Sequence, residues 1–135
     1  MIKKTILVAD SNKYILSLIK ENIELSGYRV VTAYDNASLF QKIISHKPDL
    51  IILDILLPGI NGLTLNHFIK NVFKIKSVPI IAISGDPDLK YTFKKINDTN
   101  IKDWLQKPFD VEVLLNKIKC ILKNKKKSIT KESIC

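Results

Sequence analysis

Charged or nucleophilic side chains follow four segments that the sequence predicts to be strands, each at the point where the strand ends. Most of these segments are apolar runs without polar alternation, which are typical of strands buried on both faces of a parallel sheet. The residues are Asp10 with Ser11 after Thr5–Ala9, Asp54 after Leu50–Leu53, Ser84 after Ile80–Ile83, and Lys107 after Ile101–Gln106. Because open α/β sheets bind ligands beyond the carboxyl ends of their strands, we expect these side chains to meet at one edge.

The residue types at this predicted edge are together suited to phosphoryl transfer. The carboxylates of Asp10 and Asp54 form an oxygen-rich site of the kind that binds Mg²⁺. The Ser84 hydroxyl and the Lys107 ammonium group can neutralise charge on the oxygens of a transferred phosphoryl group. With these groups in place, Asp54 can act as the nucleophile that accepts it. Each residue alone also fits a helix cap or a surface charge, so the prediction depends on their combination.

The rest of the sequence predicts the elements that hold these residues. Strand-like segments alternate with segments of helical apolar spacing, which is typical of a doubly wound α/β fold. We therefore expect a parallel sheet of five strands with five helices. The predicted strands cover residues 5–9, 29–33, 50–53, 80–83 and 101–106. The first predicted helix begins after Ser11 or Asn12, and the second begins at Asp35 or Asn36. The third helix is predicted over residues 63–75, the fourth over about 87–97, and the fifth after Asp110.

The first, second and fifth predicted helices each have a clear apolar side, which we expect to face the sheet. Gly27 is expected to end the first helix, as glycine commonly does, and Pro58-Gly59 fits a type II turn after the third strand. The expected inward-facing residues are Tyr14, Ile15, Leu18, Ile19 and Ile23, then Leu39, Phe40, Ile43 and Ile44, then Val113, Leu114, Ile118, Ile121 and Leu122.

Composition limits the class of protein further. The 135 residues suit one domain, predicted over residues 1–122, and a basic, flexible tail over residues 123–135. No apolar run is long enough for a membrane span or a signal peptide, so we expect a cytoplasmic protein. The net charge of +9 suggests nucleic-acid binding, but Arg29 is the only arginine among 22 basic residues. Because arginine is the better reader of bases and phosphates, we do not expect nucleic acid as a partner.

The motifs at the strand ends resemble those of a known family. The motifs are Asp54-x-x-x-Pro58-Gly59-x-Asn61-Gly62, Ser84-Gly85 and Lys107-Pro108-Phe109. With these residues the chain resembles, over about residues 3 to 122, the receiver domain of two-component response regulators. The resemblance implies a flavodoxin-like sheet of strand order 2-1-3-4-5. It also implies a signalling protein, not an enzyme, that accepts a phosphoryl group on Asp54 from a histidine kinase or a phosphotransfer protein.

The resemblance also implies roles for the other residues of the edge. Asp10, Asp54 and the Leu56 backbone carbonyl would hold Mg²⁺, and Lys107 would pair with the phosphoryl group. Ser84 and Trp104 would form the switch. The reporter would be the face made by the fourth helix, fifth strand and fifth helix, which a downstream protein would read.

Three residues or pairs depart from the family pattern. Ser11 stands where a second acid is expected to bind the metal directly, so we expect weakened Mg²⁺ binding. Asn100-Ile101 replaces a frequent Gly-Ala, and asparagine is the next-best residue for a left-handed conformation. Trp104 is larger than the usual tyrosine or phenylalanine, and by strand alternation it shares a side with Lys102 and Gln106.

There are four alternatives to this interpretation, and the residues present argue against two of them, the phosphatase and the flavin-binding protein. A degenerate receiver would bind partners without being phosphorylated, which Ser11 favours. A phosphatase of the haloacid dehalogenase type would need a second acid at the position of Leu56. A flavin-binding protein would need a phosphate loop after the first strand. The Lys123–Lys131 tail is a candidate nucleic-acid contact, although lysine-rich tails are more often simply solvated.

Overall fold

A computed structural model describes residues 2–58, 78–88 and 101–124 of the chain. These residues form strands β1 (Thr5–Ala9), β2 (Arg29–Ala33), β3 (Leu50–Asp54), β4 (Ile80–Ser84) and β5 (Ile101–Gln106), and helices α1 (Lys13–Leu25), α2 (Asn36–His46) and α3 (Val111–Asn124). The predicted helix over 63–75, most of the one over 87–97, the motif residues Gly59, Asn61 and Gly62, Asn100, and the tail beyond residue 124 lie outside the described residues.

The five strands form one sheet in the order β2-β1-β3-β4-β5, and all neighbouring strands run parallel. The predicted flavodoxin-like sheet and its strand order are therefore confirmed. In the pairing of β1 with β3, Ala9 lies opposite Leu53. The residues that follow, Asp10 and Asp54, are consequently neighbours at the carboxyl edge of the sheet.

Apolar side chains cover both faces of this sheet, because successive residues of a strand point to opposite sides. One core cluster joins alternate strand residues such as Ile6 and Val8 to α1 and α3. The other joins Leu7 and Ala9 to α2. Strands β3 and β4 are buried along their whole length. Helices on both faces make the fold doubly wound, which leaves the strand ends as the place for polar chemistry.

Side chains next to the helix ends fix where the helices begin. Asn12, one of the two predicted caps of α1, accepts hydrogen bonds from the backbone nitrogens of Tyr14 and Ile15. Asp35 caps α2 in a capping box with Ser38. Gly27 follows α1 with a positive φ of 98°, as expected for a glycine that ends a helix.

The inward-facing side of each helix was predicted with partial success. Tyr14 is 89% exposed and Leu18 is 50% exposed, so both assignments to the core are wrong. The buried residues of α1 are Leu16, Ile19 and Ile23. Apolar residues at consecutive positions of α1 left two possible faces, and the packing against the sheet selects the face that contains Leu16.

Each of the other two described helices also has one exposed residue that was assigned to the core. Ile44 is 59% exposed, whereas Leu39 and Ile43 of α2 are fully buried. Val113 is 43% exposed, whereas Leu114 of α3 is fully buried. In each case the mispredicted residue borders the buried stripe. Among the described residues, no helix is long and apolar enough to cross a membrane.

Candidate functional site

Lys107 joins the two acidic strand ends. Its ammonium nitrogen lies 2.6 Å from Oδ2 of Asp10 and 3.0 Å from Oδ2 of Asp54. The backbone of Lys107 is fixed as well, because its N–H donates to the carbonyl oxygen of Ser84 at 2.8 Å. The peptide bond between Lys107 and Pro108 is cis. Residues from three strands are therefore brought into direct contact, as the sequence predicted.

The three charged groups are withdrawn from solvent to different degrees. Asp10 is 1% exposed and Asp54 is 7% exposed, while 21% of the Lys107 side chain is exposed. Burial alone would lower the pKa of Lys107, but the hydrogen bonds and charges of Asp10 and Asp54 outweigh it, so the pKa is raised. One ammonium group faces two carboxyl groups, so the lysine stays protonated at neutral pH.

Asp10 is held firmly through its backbone and one carboxyl oxygen. Its N–H donates to the Ala33 carbonyl oxygen at 3.0 Å, and its Oδ1 accepts a hydrogen bond from the Asn12 N–H at 2.8 Å. Its Oδ2 is buried and lies 2.6 Å from the Lys107 ammonium nitrogen, which is its partner in an ion pair. A carboxylate oxygen has more than one lone pair, so a buried Oδ2 at this edge fits a ligand of a divalent cation beside the lysine.

Asp54 organises the loop that follows β3. Its Oδ1 accepts a hydrogen bond from the Leu56 N–H at 2.9 Å, and its backbone oxygen accepts one from the Leu57 N–H at 3.0 Å. The Leu57 side chain is buried in the core, whereas the Leu56 side chain is 61% exposed. The acceptor loop, which we define as residues 54–58, is thus tightly folded around the Asp54 carboxyl group.

Ser11 leaves the acidic edge with two carboxylates and not three. Its side chain is exposed, and it stands directly after Asp10. Within residues 2–58, 78–88 and 101–124, no cluster of three or more His, Cys, Asp or Glu side chains is close enough to hold a metal ion. The oxygens that remain for a cation are those of Asp10 and Asp54 and backbone carbonyls such as that of Leu56.

Ser84 lies at the same edge, but its hydroxyl group is turned to its own loop. Its Oγ accepts a hydrogen bond from the Asp86 N–H at 2.9 Å and donates to the Asp86 carbonyl oxygen at 3.3 Å. The serine residue as a whole is buried. The structure therefore brings Ser84 beside Lys107 through the backbone, while its hydroxyl group is directed to Asp86.

Trp104 is half-buried on the side of the sheet that was predicted. It packs with Ile101 against Ile55 and Ala82, whereas the next residue, Leu105, packs in the core of the opposite face. Trp104 and residues of the loop after β4 line a common small cavity of about 100 Å³. Its lining residues are Ser84, Asp86, Pro87, Trp104, Leu105 and Gln106.

Sequence reasoning missed the contribution of Asn36. This residue was considered only as a possible helix start, yet it is 2% exposed. Its side-chain amide nitrogen donates to the carbonyl oxygens of Leu57 at 3.2 Å and Pro58 at 2.8 Å. No sequence pattern identifies such a contact, because it joins the start of α2 to a loop more than twenty residues away.

Comparison with known proteins identifies the family of this chain. The model of the response regulator receiver domain matches residues 6–119. The chain therefore belongs to the receiver domain family of response regulators, as the motifs at its strand ends predicted. The response regulator ArlR of Staphylococcus aureus is 36% identical over 120 residues, which are 87% of this chain and 52% of ArlR.

Other relatives have quite different overall lengths. The CAI-1 autoinducer sensor kinase/phosphatase CqsS of Vibrio cholerae is 34% identical over 117 residues, which are 86% of this chain and 17% of CqsS. The chain thus spans about half of ArlR and a much smaller part of CqsS. These relatives establish the domain that the chain shares with them, and not the activity of either whole protein.

Solved structures of receiver domains have the same fold. A CheY-like response regulator receiver domain protein from Methanospirillum hungatei superposes with a TM-score of 0.82 at 26% identity, covering 93% of this chain and 98% of that chain. The signal receiver domain of an HD domain-containing protein from Pseudomonas fluorescens gives 0.81 at 31% identity, with the same coverage. The agreement extends over nearly the whole receiver domain in both cases.

Proposed function

We propose that this protein is a single-domain response regulator that accepts a phosphoryl group on Asp54 and then switches a protein-binding face. The observation that carries the proposal is the contact of one Lys107 ammonium group with both Asp10 and Asp54. A receiver needs an acceptor carboxylate, a cation to pair with the incoming charge, and acidic oxygens for a metal. These groups lie together at the carboxyl edge of the sheet.

In the proposed reaction, an oxygen of Asp54 forms a bond to the phosphorus atom. The bond from phosphorus to a histidine nitrogen of the donor breaks, and the electron pair leaves with that nitrogen. The donor is a sensor histidine kinase or a histidine phosphotransfer protein. Lys107 pairs with the added negative charge, since its ammonium group already lies 3.0 Å from the acceptor carboxylate. Apart from this transfer onto itself and its reversal, we propose no enzymatic activity.

Asp10, Asp54 and the Leu56 carbonyl are the groups that would hold Mg²⁺. When bound, the metal supplies positive charge that offsets the charge of the phosphoryl oxygens. The burial of the Asp10 and Asp54 carboxylates at one edge of the sheet supports this assignment. Ser11 supplies only a hydroxyl group, so we propose that the affinity for the metal is lower than in a receiver with a third carboxylate.

The switch that we propose consists of Ser84 and Trp104. To contact a phosphoryl group on Asp54, the Ser84 hydroxyl would give up its hydrogen bonds to Asp86, one of which is long at 3.3 Å. Trp104 lines the same small cavity as Ser84, so a movement of the serine loop changes the surroundings of the indole. Phosphorylation thereby biases an equilibrium between two packings.

The partners that bind the switched face are proteins. The proposed output face is made by β5, α3 and the helix predicted over about 87–97, and a downstream protein in the cytoplasm would bind it. We do not propose a nucleic-acid partner.

A second function, favoured by Ser11, is that of a degenerate receiver that binds its partners without being phosphorylated. One experiment separates the two functions: the purified protein is incubated with acetyl phosphate and Mg²⁺, and its intact mass is measured. Phosphoacceptor function predicts the gain of one phosphoryl group, which is absent in Asp54→Asn and suppressed by a chelator. A mass that stays unchanged, or a gain that persists in Asp54→Asn, rejects it.

A further inference from the structure

The side chain of Asn36 restrains the half of the acceptor loop that Asp54 does not reach. Asp54 holds the N–H groups of Leu56 and Leu57. Asn36 holds the next two carbonyl groups, those of Leu57 and Pro58, through its side-chain amide. Its backbone N–H donates to the Pro58 carbonyl as well, at 3.0 Å. Four consecutive peptide groups are therefore fixed by only two residues.

The Leu56 carbonyl lies between these two sets of restraints. It belongs to the same planar peptide group as the Leu57 N–H, which donates to the backbone oxygen of Asp54. The following peptide group is held by Asn36 through the Leu57 carbonyl. A rotation of the Leu56 carbonyl would therefore disturb a hydrogen bond to Asp54 or one to Asn36.

Asp10 is anchored to the same corner of the fold. The connection from β2 to α2 runs from Ala33 to Asn36, and the Ala33 carbonyl accepts the Asp10 N–H at 3.0 Å. One corner thus supports an acidic residue at the end of β1 and the loop after β3. The hydrogen bond between Ala33 and Asp10 does not involve the Asn36 side chain, so a substitution at Asn36 leaves this hydrogen bond of Asp10 in place.

We propose that Asn36 is a positioning residue that sets the orientation of the Leu56 carbonyl as a ligand of the divalent cation. The inference rests on the proposed function, since it assumes that this carbonyl is a metal ligand. Buried groups that orient metal ligands typically change affinity tenfold or more when they are removed. Among the described residues, two carboxylates lie at this edge, so a well-oriented carbonyl is a substantial part of the coordination that the protein itself supplies.

The test uses the full-length, unphosphorylated protein and Mn²⁺ as the probe, with free Mn²⁺ measured by its electron paramagnetic resonance signal. Asn36→Ala removes the hydrogen bonds to the Leu57 and Pro58 carbonyl oxygens and is expected to raise the dissociation constant about tenfold. Asn36→Ser keeps one hydrogen-bond donor, a hydroxyl group on a shorter side chain, and should give a dissociation constant between those of wild type and Asn36→Ala. Ser38→Ala is the matched control, because it removes hydrogen bonds in the same first turn of α2 without touching the acceptor loop.

The outcomes separate this inference from the proposed function. Equal Mn²⁺ affinity in wild type and folded Asn36→Ala, or an equal loss in Ser38→Ala, overturns the positioning role even if the wild type takes up a phosphoryl group. If Asn36→Ala does not fold, an unchanged affinity in Asn36→Ser overturns it instead. A wild type that binds no Mn²⁺ also overturns it. The two can also separate in the other direction. If Asn36→Ala binds Mn²⁺ more weakly but acetyl phosphate does not phosphorylate the wild type, the positioning role is supported and the proposed function is rejected.

Discussion

The ammonium nitrogen of Lys107 lies 2.6 Å from Oδ2 of Asp10, although the two residues come from opposite ends of the chain. The same nitrogen also contacts Asp54. Among the residues that the structure describes, two buried carboxyl groups thus share the ammonium group of one lysine for their charge compensation. The groups that we propose for phosphoryl transfer therefore also stabilise the fold.

Replacement of Lys107 should therefore destabilise the protein. Lys107→Met leaves two buried carboxyl groups without a cation, and we expect a loss of about 2 kcal/mol in the free energy of unfolding at neutral pH. Lys117→Met is the control, since it breaks the more exposed ion pair with Asp103, and exposed pairs contribute about 1 kcal/mol or less. Urea unfolding measures both. Equal losses in the two variants would show that Lys107 has no special electrostatic role.

The contribution of Lys107 to stability should depend on pH in a defined direction. Its pKa is raised in the folded protein, so the stabilisation is fully present below the unfolded pKa of about 10.4 and is lost as pH rises through the folded pKa. The difference in urea midpoint between wild type and Lys107→Met should be constant from about pH 7 to about pH 9 and shrink above about pH 10.4. If the difference in urea midpoint were already lost before the pH had risen to about 9, the pKa of Lys107 would not be raised in the folded protein.

A third carboxylate at the edge should strengthen metal binding. Ser11→Asp adds an acidic ligand next to Asp10, and we expect Mg²⁺ affinity to rise about tenfold. Phosphorylation by acetyl phosphate should become faster for the same reason. Ser17→Asp, on an exposed position of α1, controls for the added charge. Superimposable Mg²⁺ titration curves for wild type and Ser11→Asp would mean that Ser11 does not limit the site.

Ser84 should couple phosphorylation to the surroundings of Trp104. The chain contains one tryptophan, so its fluorescence reports this position alone. Wild type should change its emission on phosphorylation, while Ser84→Ala should still gain the phosphoryl mass, more slowly, with little change in emission. An identical emission change in Ser84→Ala would place the switch elsewhere. Ser26→Ala, after the end of α1, is the control.

The fold was largely predictable because its strands are short apolar runs that end in turn or charged residues. Strands β1, β2 and β5 lie at the predicted residues, and the strand order follows from the family resemblance. What failed was the orientation of residues at the margin of a buried stripe, such as Tyr14 and Ile44. Periodicity gives the spacing of an apolar face, whereas only packing against the sheet decides which neighbouring residues it includes.

The site was predictable to the extent that it consists of strand ends. Asp10, Asp54 and Lys107 meet because parallel strands end at one edge, and a sequence can show that. The hydrogen bonds between Ser84 and Asp86 and the support of the acceptor loop by Asn36 depend on loop geometry. Asparagine at the start of a helix is common for reasons of capping alone, so its sequence position gave no sign of a second role.

Locating the modified residue is the sharpest test of Asp54 as the phosphoacceptor. The protein is treated with acetyl phosphate and Mg²⁺ and then with borohydride, which reduces an aspartyl phosphate to homoserine, and the peptides are identified by mass spectrometry. If Asp54 is the phosphoacceptor, homoserine will be found at residue 54 and at no other aspartate. Homoserine at Asp10 or another position, or none in a protein that has bound Mg²⁺, would contradict it.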